Sequence, residues 1–201
     1  MDIREMAIPD CYEITPKQYG DNRGIFFESY RFDRLQEIAG RRIDLRQVNT
    51  SVSKKGTVRG VHFADIPQGQ AKYVFVTQGA VVDYAIDIRV GSSAYGTWDS
   101  SVLDDVDRRA LFLSEGIGHC FVALTEKATV TYLVTDVYRP EREHGITPLD
   151  EQVALDLPFA REELLFSEKD AEAMTLDQAH EAHLLPTWDE ARKLYASFAS
   201  Q

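Results

Sequence analysis

Lys72-Tyr73-Val74-Phe75-Val76-Thr77-Gln78-Gly79-Ala80-Val81-Val82-Asp83-Tyr84-Ala85-Ile86-Asp87-Ile88-Arg89 decides the fold class. Val82, Tyr84, Ile86 and Ile88 alternate with Asp83, Asp87 and Arg89, and a period of two sends the two sets to opposite faces of a strand. The reading is a half-buried strand over Ala80 to Arg89, joined through Gln78-Gly79 to a strand over Lys72 to Thr77.

Outward from this pair the same grammar repeats. Ile25 to Tyr30 reads as a strand, Asp33 to Ala39 as one short helix closed by Gly40, and Leu45 to Ser53 as a strand whose odd positions Gln47, Asn49, Ser51 and Ser53 are all polar. One face of that strand therefore points at something polar. Thr97 to Leu103, Ala110 to Leu113 and Thr129 to Tyr138 are further strands, with turns at Gly91-Ser92-Ser93 and Tyr95-Gly96. Many short strands punctuated by glycine turns predict a mostly β sandwich or barrel. The last quarter changes character. Ser167-Glu168-Lys169-Asp170 and Thr187-Trp188-Asp189-Glu190 fit the capping-box pattern and open helices over roughly Glu168 to His180 and Trp188 to Phe198, packed outside the β body. The expectation is one domain over 1–201, with a β body to about 165 and a helical segment from about 166.

The composition, 44% hydrophobic and 27% charged, is that of a soluble globular chain, and no apolar run approaches the ~20 residues of a membrane span. Asp2, Arg4 and Glu5 interrupt any secretion signal, so a cytoplasmic protein is expected. The two cysteines, Cys11 and Cys120, have neither disulfide-framework nor CxxC spacing. A net charge of -11 argues against general nucleic-acid binding, while a few convergent cations suffice for a nucleotide-sized anion.

Three groups of residues carry candidate chemistry. His62, in Arg59-Gly60-Val61-His62-Phe63, lies in an apolar stretch between Arg59 and Lys72; strict alternation would part Arg59 from His62, and a bulge at Gly60 brings both inward. An imidazole beside fixed positive charge is a candidate base working next to a developing oxyanion. Tyr132 and Tyr138 fall on one face of the Thr129–Tyr138 strand by parity. His119 follows the Gly116 and Gly118 turn, where a loop holds its ring over a pocket. Asp170 reads both as the third residue of a helix cap and as a partner orienting His62. Arg23 and Lys169 are further cations for phosphates. Phe63 and Ala64 follow His62 where a double-His-plus-Glu metal motif would need ligands, so no metal is expected.

Asp21-Asn22-Arg23-Gly24-Ile25-Phe26, Gln47-Val48-Asn49-Thr50-Ser51-Val52-Ser53 and Gly56-Thr57-Val58-Arg59-Gly60-Val61-His62-Phe63, in that order, resemble the dTDP-4-dehydrorhamnose 3,5-epimerase family. The resemblance continues through Gln70-Ala71-Lys72, the D-x-x-x-D-x-R run Asp83 to Arg89, Tyr95-Gly96-x-Trp98, Glu115-Gly116-x-x-His119-x-Phe121, Tyr132 with Tyr138, and Glu143, covering about residues 5 to 170. It implies a cupin-type β jelly roll barrel, a homodimer in which N-terminal strands extend the partner's sheet, and a dTDP-4-keto-6-deoxyhexose as substrate, with no cofactor and no metal. It also implies His62 as proton acceptor with Asp170 as its partner, Tyr132 as proton donor and Lys72 at the C4 carbonyl oxygen. Arg23, Glu28, Gln47, Asn49, Arg59, His119, Glu143 and Lys169 match substrate-contacting positions, with Tyr138 stacking on the thymine.

Two departures bear on which carbon inverts. Ser114-Glu115-Gly116-Ile117-Gly118-His119-Cys120-Phe121 stands where members making the rhamnose precursor carry Pro-Glu-Gly-Phe-Ala-His-Gly-Phe, and Pro148-Leu149-Asp150 replaces their Trp-Asn-Asp. With His62-Phe63-Ala64-Asp65-Ile66-Pro67 these look more like the antibiotic-sugar branch that inverts C3 only. The readings are thus a C3 epimerase of dTDP-4-keto-6-deoxyglucose, its variant inverting C3 and C5, a cupin 3,4-ketoisomerase, and a non-catalytic nucleotide-sugar binding domain.

Overall fold

The computed structural model describes residues 1–199. The strands are β1 (Asp2–Glu5), β2 (Cys11–Thr15), β3 (Gln18–Asp21), β4 (Gly24–Phe27), β5 (Gln47–Ser53), β6 (Val58–Ala64), β7 (Lys72–Gln78), β8 (Ala80–Asp87), β9 (Trp98–Asp104), β10 (Ala110–Leu113), β11 (Ile117–Ala123), β12 (Ala128–Val134) and β13 (Glu143–Gly145). The helices are α1 (Phe32–Ala39), α2 (Glu168–Ala171), α3 (Leu176–Glu181) and α4 (Trp188–Ala199). Six strands form one sheet in the order β1-β2-β10-β7-β12-β5, five form another in the order β13-β6-β11-β8-β9, and β3 and β4 make a separate hairpin. All pairings within these sheets are antiparallel.

From β5 onward the chain crosses from sheet to sheet at almost every connection, with β8–β9 the exception. This is jelly-roll winding. The two sheets face one another as a sandwich and are not closed into a continuous hydrogen-bonded barrel. The winding matters for function because it sends residues close in sequence to opposite walls: His62 on β6 faces the wall that carries Lys72 on β7, and His119 on β11 faces the wall that carries Tyr132 on β12.

Three apolar clusters hold the sandwich. Val74, Val76, Val81, Ala85, Leu103, Leu111, Phe121 and Val130 fill one part of the space between the sheets. Tyr84, Ile86, Ile88, Phe63 and Val122, on the outer face of the five-stranded sheet, are covered by Val153, Leu164, Leu176, Ala179 and Leu185 of the C-terminal segment. Ile14, Tyr73 and Phe112 on the outer face of the six-stranded sheet meet Leu35 of α1 and Ile43. Burying a side chain such as Ile86 contributes about 1.5–3 kcal/mol, so covering this face with the C-terminal segment stabilises the fold.

Some local expectations change. The β8 strand is buried on both faces, for Asp83, Asp87 and Arg89 are each 0% exposed. Their row points between the sheets and into the adjoining interior, where partners compensate the charge. The long helix expected over Glu168 to His180 is two helices, because Thr175 and Gln178 form a second, reciprocal capping box and the backbone at Met174 bonds to Thr147 in an extended bridge. The strand expected to run to Tyr138 stops at Val134, and His119 is a residue of β11 rather than of a loop.

Candidate active site

A cavity of about 460 Å³ opens between the two sheets beside the apolar filling, which meets it at Phe121 and Tyr132. Its walls follow from strand parity. On β5 the polar row Gln47, Asn49, Ser51 and Ser53 turns inward while Val48 and Val52 are 63% and 57% exposed, the reverse of a strand on an apolar core. On β12 Tyr132 shares the inner face with Val130, and on β7 Lys72 shares it with Val74. These make the six-stranded wall.

The five-stranded wall depends on an irregularity. His62 pairs with His119 and Arg59 with Phe121, so two residues of β6, Gly60 and Val61, stand opposite the single Cys120. That is the bulge that brings Arg59 and His62 to one face. Gly60 has φ of 124°, and a Cβ there would lie 2.3 Å from the His119 carbonyl oxygen, so only glycine fits.

His62 Nε2 donates to Asp170 Oδ1 at 2.6 Å. A carboxylate only accepts, which fixes the proton on Nε2 and leaves the Nδ1 lone pair for another partner. Asp170 is itself held by the α2 cap, its backbone N–H donating to Ser167 Oγ at 3.1 Å. Burial alone would raise the Asp170 carboxyl, but hydrogen bonds from His62 and Ser167 and the His62 charge outweigh it and hold the group below its usual range.

Lys72 is 6% exposed and its Nζ donates to the His62 carbonyl at 3.5 Å. Burial pulls its pKa down, opposed by the charges of Glu143 and Asp83. The Tyr132 phenol is pushed up, first by burial and then by Glu143, with Arg59 and a hydrogen bond with Asn49 partly offsetting, so it stays protonated at neutral pH. Arg59 Nε donates to Ser53 Oγ at 3.0 Å, which orients the guanidinium. His119 Nε2 lies 2.9 Å from both oxygens of Asp83. At the mouth, Gln47 accepts from the Tyr138 backbone N–H at 2.9 Å and donates to Asn49 at 2.7 Å, while exposed Lys169 and half-buried Glu143 complete the rim.

Of the residues singled out from the sequence, Asn49, Arg59, His62, Lys72, His119, Tyr132, Tyr138, Glu143, Lys169 and Asp170 line this cavity. Gln47 acts on it through Asn49 and Tyr138. Tyr138 reaches it from the loop after β12 and not, as parity suggested, from the strand. Arg23 and Glu28 do not line it. Arg23, with its side chain 85% exposed on the β3–β4 hairpin, pairs with Asp21, and Glu28, just past that hairpin, pairs with Arg31. Three contributors went unassigned in the sequence: Ser51 and His144 in the lining and Asp83 behind it. The inward parity of Asp83 with Val81 and Ala85 was the available signal. Among the described residues no group of three or more His, Cys, Asp or Glu is placed to hold a metal ion, and no helix is long and apolar enough to cross a membrane.

Residues 5–178 match the dTDP-4-dehydrorhamnose 3,5-epimerase family. The chain is 49% identical over 188 residues to the dTDP-4-dehydrorhamnose 3-epimerase of Streptomyces niveus, covering 94% of this chain and 90% of that one. Among solved structures it is similar to NovW, a 4-keto-6-deoxy sugar epimerase from the novobiocin cluster of Streptomyces spheroides, with 48% identity, a TM-score of 0.92 and 95% of each chain covered. It is also similar to ChmJ, a 3'-monoepimerase from Streptomyces bikiniensis solved with dTDP-quinovose, with 34% identity, a TM-score of 0.93, and 97% and 98% covered. With family match, relatives and fold in agreement over nearly its whole length, the chain belongs to the dTDP-4-dehydrorhamnose 3,5-epimerase family of isomerases.

Proposed function

We propose that this protein epimerises dTDP-4-keto-6-deoxyglucose at C3, through an enolate and without a cofactor. A C–H bond beside a ketone is acidic because its carbanion delocalises onto oxygen, and an ammonium aimed at that oxygen favours the enolate over the neutral ketone. His62 Nδ1 takes the C3 proton, and Asp170 stabilises the imidazolium that results. The bond electrons pass to O4, where Lys72 steadies them. Tyr132 returns a proton to C3 from the other side, and the phenolate and imidazolium then re-equilibrate with solvent. The substrate is recovered with one stereocentre inverted and no net change in atoms or electrons.

The observation that carries this reading is the placement of His62 and Tyr132 on opposite sheets with the cavity between them. Inversion needs acid and base on opposite faces of the carbon. Arg59, His119 and Lys169 offer positive charge to the diphosphate, and Tyr138 offers a ring face to the base. The complex of ChmJ with dTDP-quinovose supports a dTDP-hexose as ligand, and the 3-epimerase of Streptomyces niveus and the novobiocin-cluster origin of NovW support C3 as the reacting carbon and an antibiotic deoxysugar as the destination.

The functional unit in this proposal is a homodimer. Ile25 and Phe26 on the β3–β4 hairpin are 63% and 68% exposed, and Arg23 beside them is paired with Asp21 and does not line its own cavity. A second chain laid against this hairpin covers the apolar pair and gives Arg23 and Glu28 a cavity to reach. The test of the reaction is incubation with dTDP-4-keto-6-deoxyglucose in heavy water, with deuterium located by NMR. Label at C3 alone is expected; label at C3 and C5 reassigns the protein as a double epimerase, and label at neither removes the epimerase reading.

A further inference from the structure

The buried row Asp83, Asp87 and Arg89 divides into two devices. Asp87 and Arg89 grip each other, with Nη2 to Oδ2 at 2.7 Å, and Arg89 reaches Asp10 at 3.0 Å and stacks on Trp188, tying α4 to the body. Asp83 has no such anchoring task. It is 0% exposed, lies behind the cavity lining, and directs both carboxylate oxygens at His119 Nε2, 2.9 Å away.

We propose that Asp83 is a positioning residue of this active site, the fixed buried counter-charge that holds His119 in one tautomer on the cavity wall facing Lys72. The inference rests on the epimerase reading and extends it to a residue outside the cavity lining. Because the carboxylate only accepts, His119 carries its proton on Nε2 and presents Nδ1 away from Asp83. Lys72 is buried, and a buried ammonium tends to lose its proton. The groups facing it are Glu143 from β13, Asp83 from β8, His62 from β6, His119 from β11 and Tyr132 from β12. Of these, Glu143 and Asp83 oppose the effect of burial. Glu143 is the stronger of the two but is half-buried at the rim, where solvent and salt screen it, whereas Asp83 is fully enclosed and its smaller field is screened far less.

The test is the pH dependence of C3 deuterium exchange in Asp83→Asn and Asp83→Glu, beside wild type. In Asp83→Asn the basic limb of kcat/KM is expected about one pH unit lower, a loss of about tenfold on the alkaline side. Asp83→Glu keeps the charge and is expected to hold the limb near its wild-type position, even if kcat falls. A limb in Asp83→Asn that superimposes on wild type overturns the proposal, whatever happens to the melting temperature. Should Asp83→Asn fail to fold, Lys72→Met combined with it is expected to restore folding, since the pair then carries no buried charge; failure to restore it equally overturns the proposal. This second measurement needs no turnover. If wild type exchanges no deuterium, the epimerase reading falls, and the melting behaviour of the two single variants and the double variant still judges Asp83.

Discussion

β5 and β8 are both alternating strands, both turn their polar row into the space between the sheets, and they differ in what covers the other row. The apolar row of β8, with Tyr84 and Ile86, lies under the C-terminal segment, while Val48 and Val52 of β5 face outward and uncovered. An inward polar row therefore marks the cavity, and the fate of the apolar row depends on what the rest of the chain, or a second chain, lays over it. Polar residues in a strand are usually taken as its solvent face. Here the same alternation signals a site, and the charges it buries are tied up in pairs such as His119 with Asp83 and Arg89 with Asp87.

If the inward rows are the chemistry and the outward rows the scaffold, substitutions on the two should separate cleanly. The largest effect is expected for His62→Asn, with kcat down by about 10²–10⁴-fold, measured by NMR turnover of dTDP-4-keto-6-deoxyglucose; a residual rate near wild type would end the assignment of inward rows to chemistry. Lys72→Gln is expected to lower kcat by about 10²–10³-fold, the range for loss of an oxyanion donor, while calorimetric binding of dTDP changes little. On the outer row of β8, Ile86→Ala is expected to cost about 2–5 kcal/mol in denaturant unfolding and to leave kcat unchanged below the melting range.

Asp170 joins the two regions, being a cap residue on α2 that serves His62. Its folded carboxyl is held below the unfolded value, so it contributes stability that is present above about pH 4 and lost as pH falls through the folded pKa. Asp170→Asn is accordingly expected to be less stable than wild type at neutral pH, with the difference closing under acid. Equal stability at pH 7 would mean that the His62 contact adds nothing to folding. The smallest effect belongs to the outward row of β5. Val48→Ser and Val52→Ser are expected to stay within about 0.5 kcal/mol in a separated chain; a larger loss that depends on protein concentration would show a second chain covering them.

The sequence disclosed the site better than its surroundings. Alternation in β5 and β8 announced the polar rows, and Arg59-Gly60-Val61-His62 announced the bulge, because parity and glycine freedom are local properties. The break after α2 was hidden because the Ser167 cap was read and the Thr175 cap, whose partner Gln178 is only three residues on, was not. Tyr138 reached the cavity by another route than expected, since where β12 ends is set by the loop that binds Gln47 and Gln70, not by propensity. The burial of Asp83 was signalled only by its parity with Val81 and Ala85, while the partner that compensates its charge, His119, is 36 residues away. Glu28 was recognised by resemblance alone and Arg23 also as a cation for phosphates, yet within one chain they pair with Arg31 and Asp21 and do not line the cavity.

The central claim, a base on one wall and an acid on the other, is tested most directly by comparing deuterium incorporation with inversion in Tyr132→Phe. With His62 intact and the opposite donor removed, C3 is expected to exchange with heavy water while its configuration is retained, because the only proton source left is on the side from which the proton departed. Continued inversion in Tyr132→Phe, or loss of exchange as complete as in His62→Asn, would contradict the two-wall account.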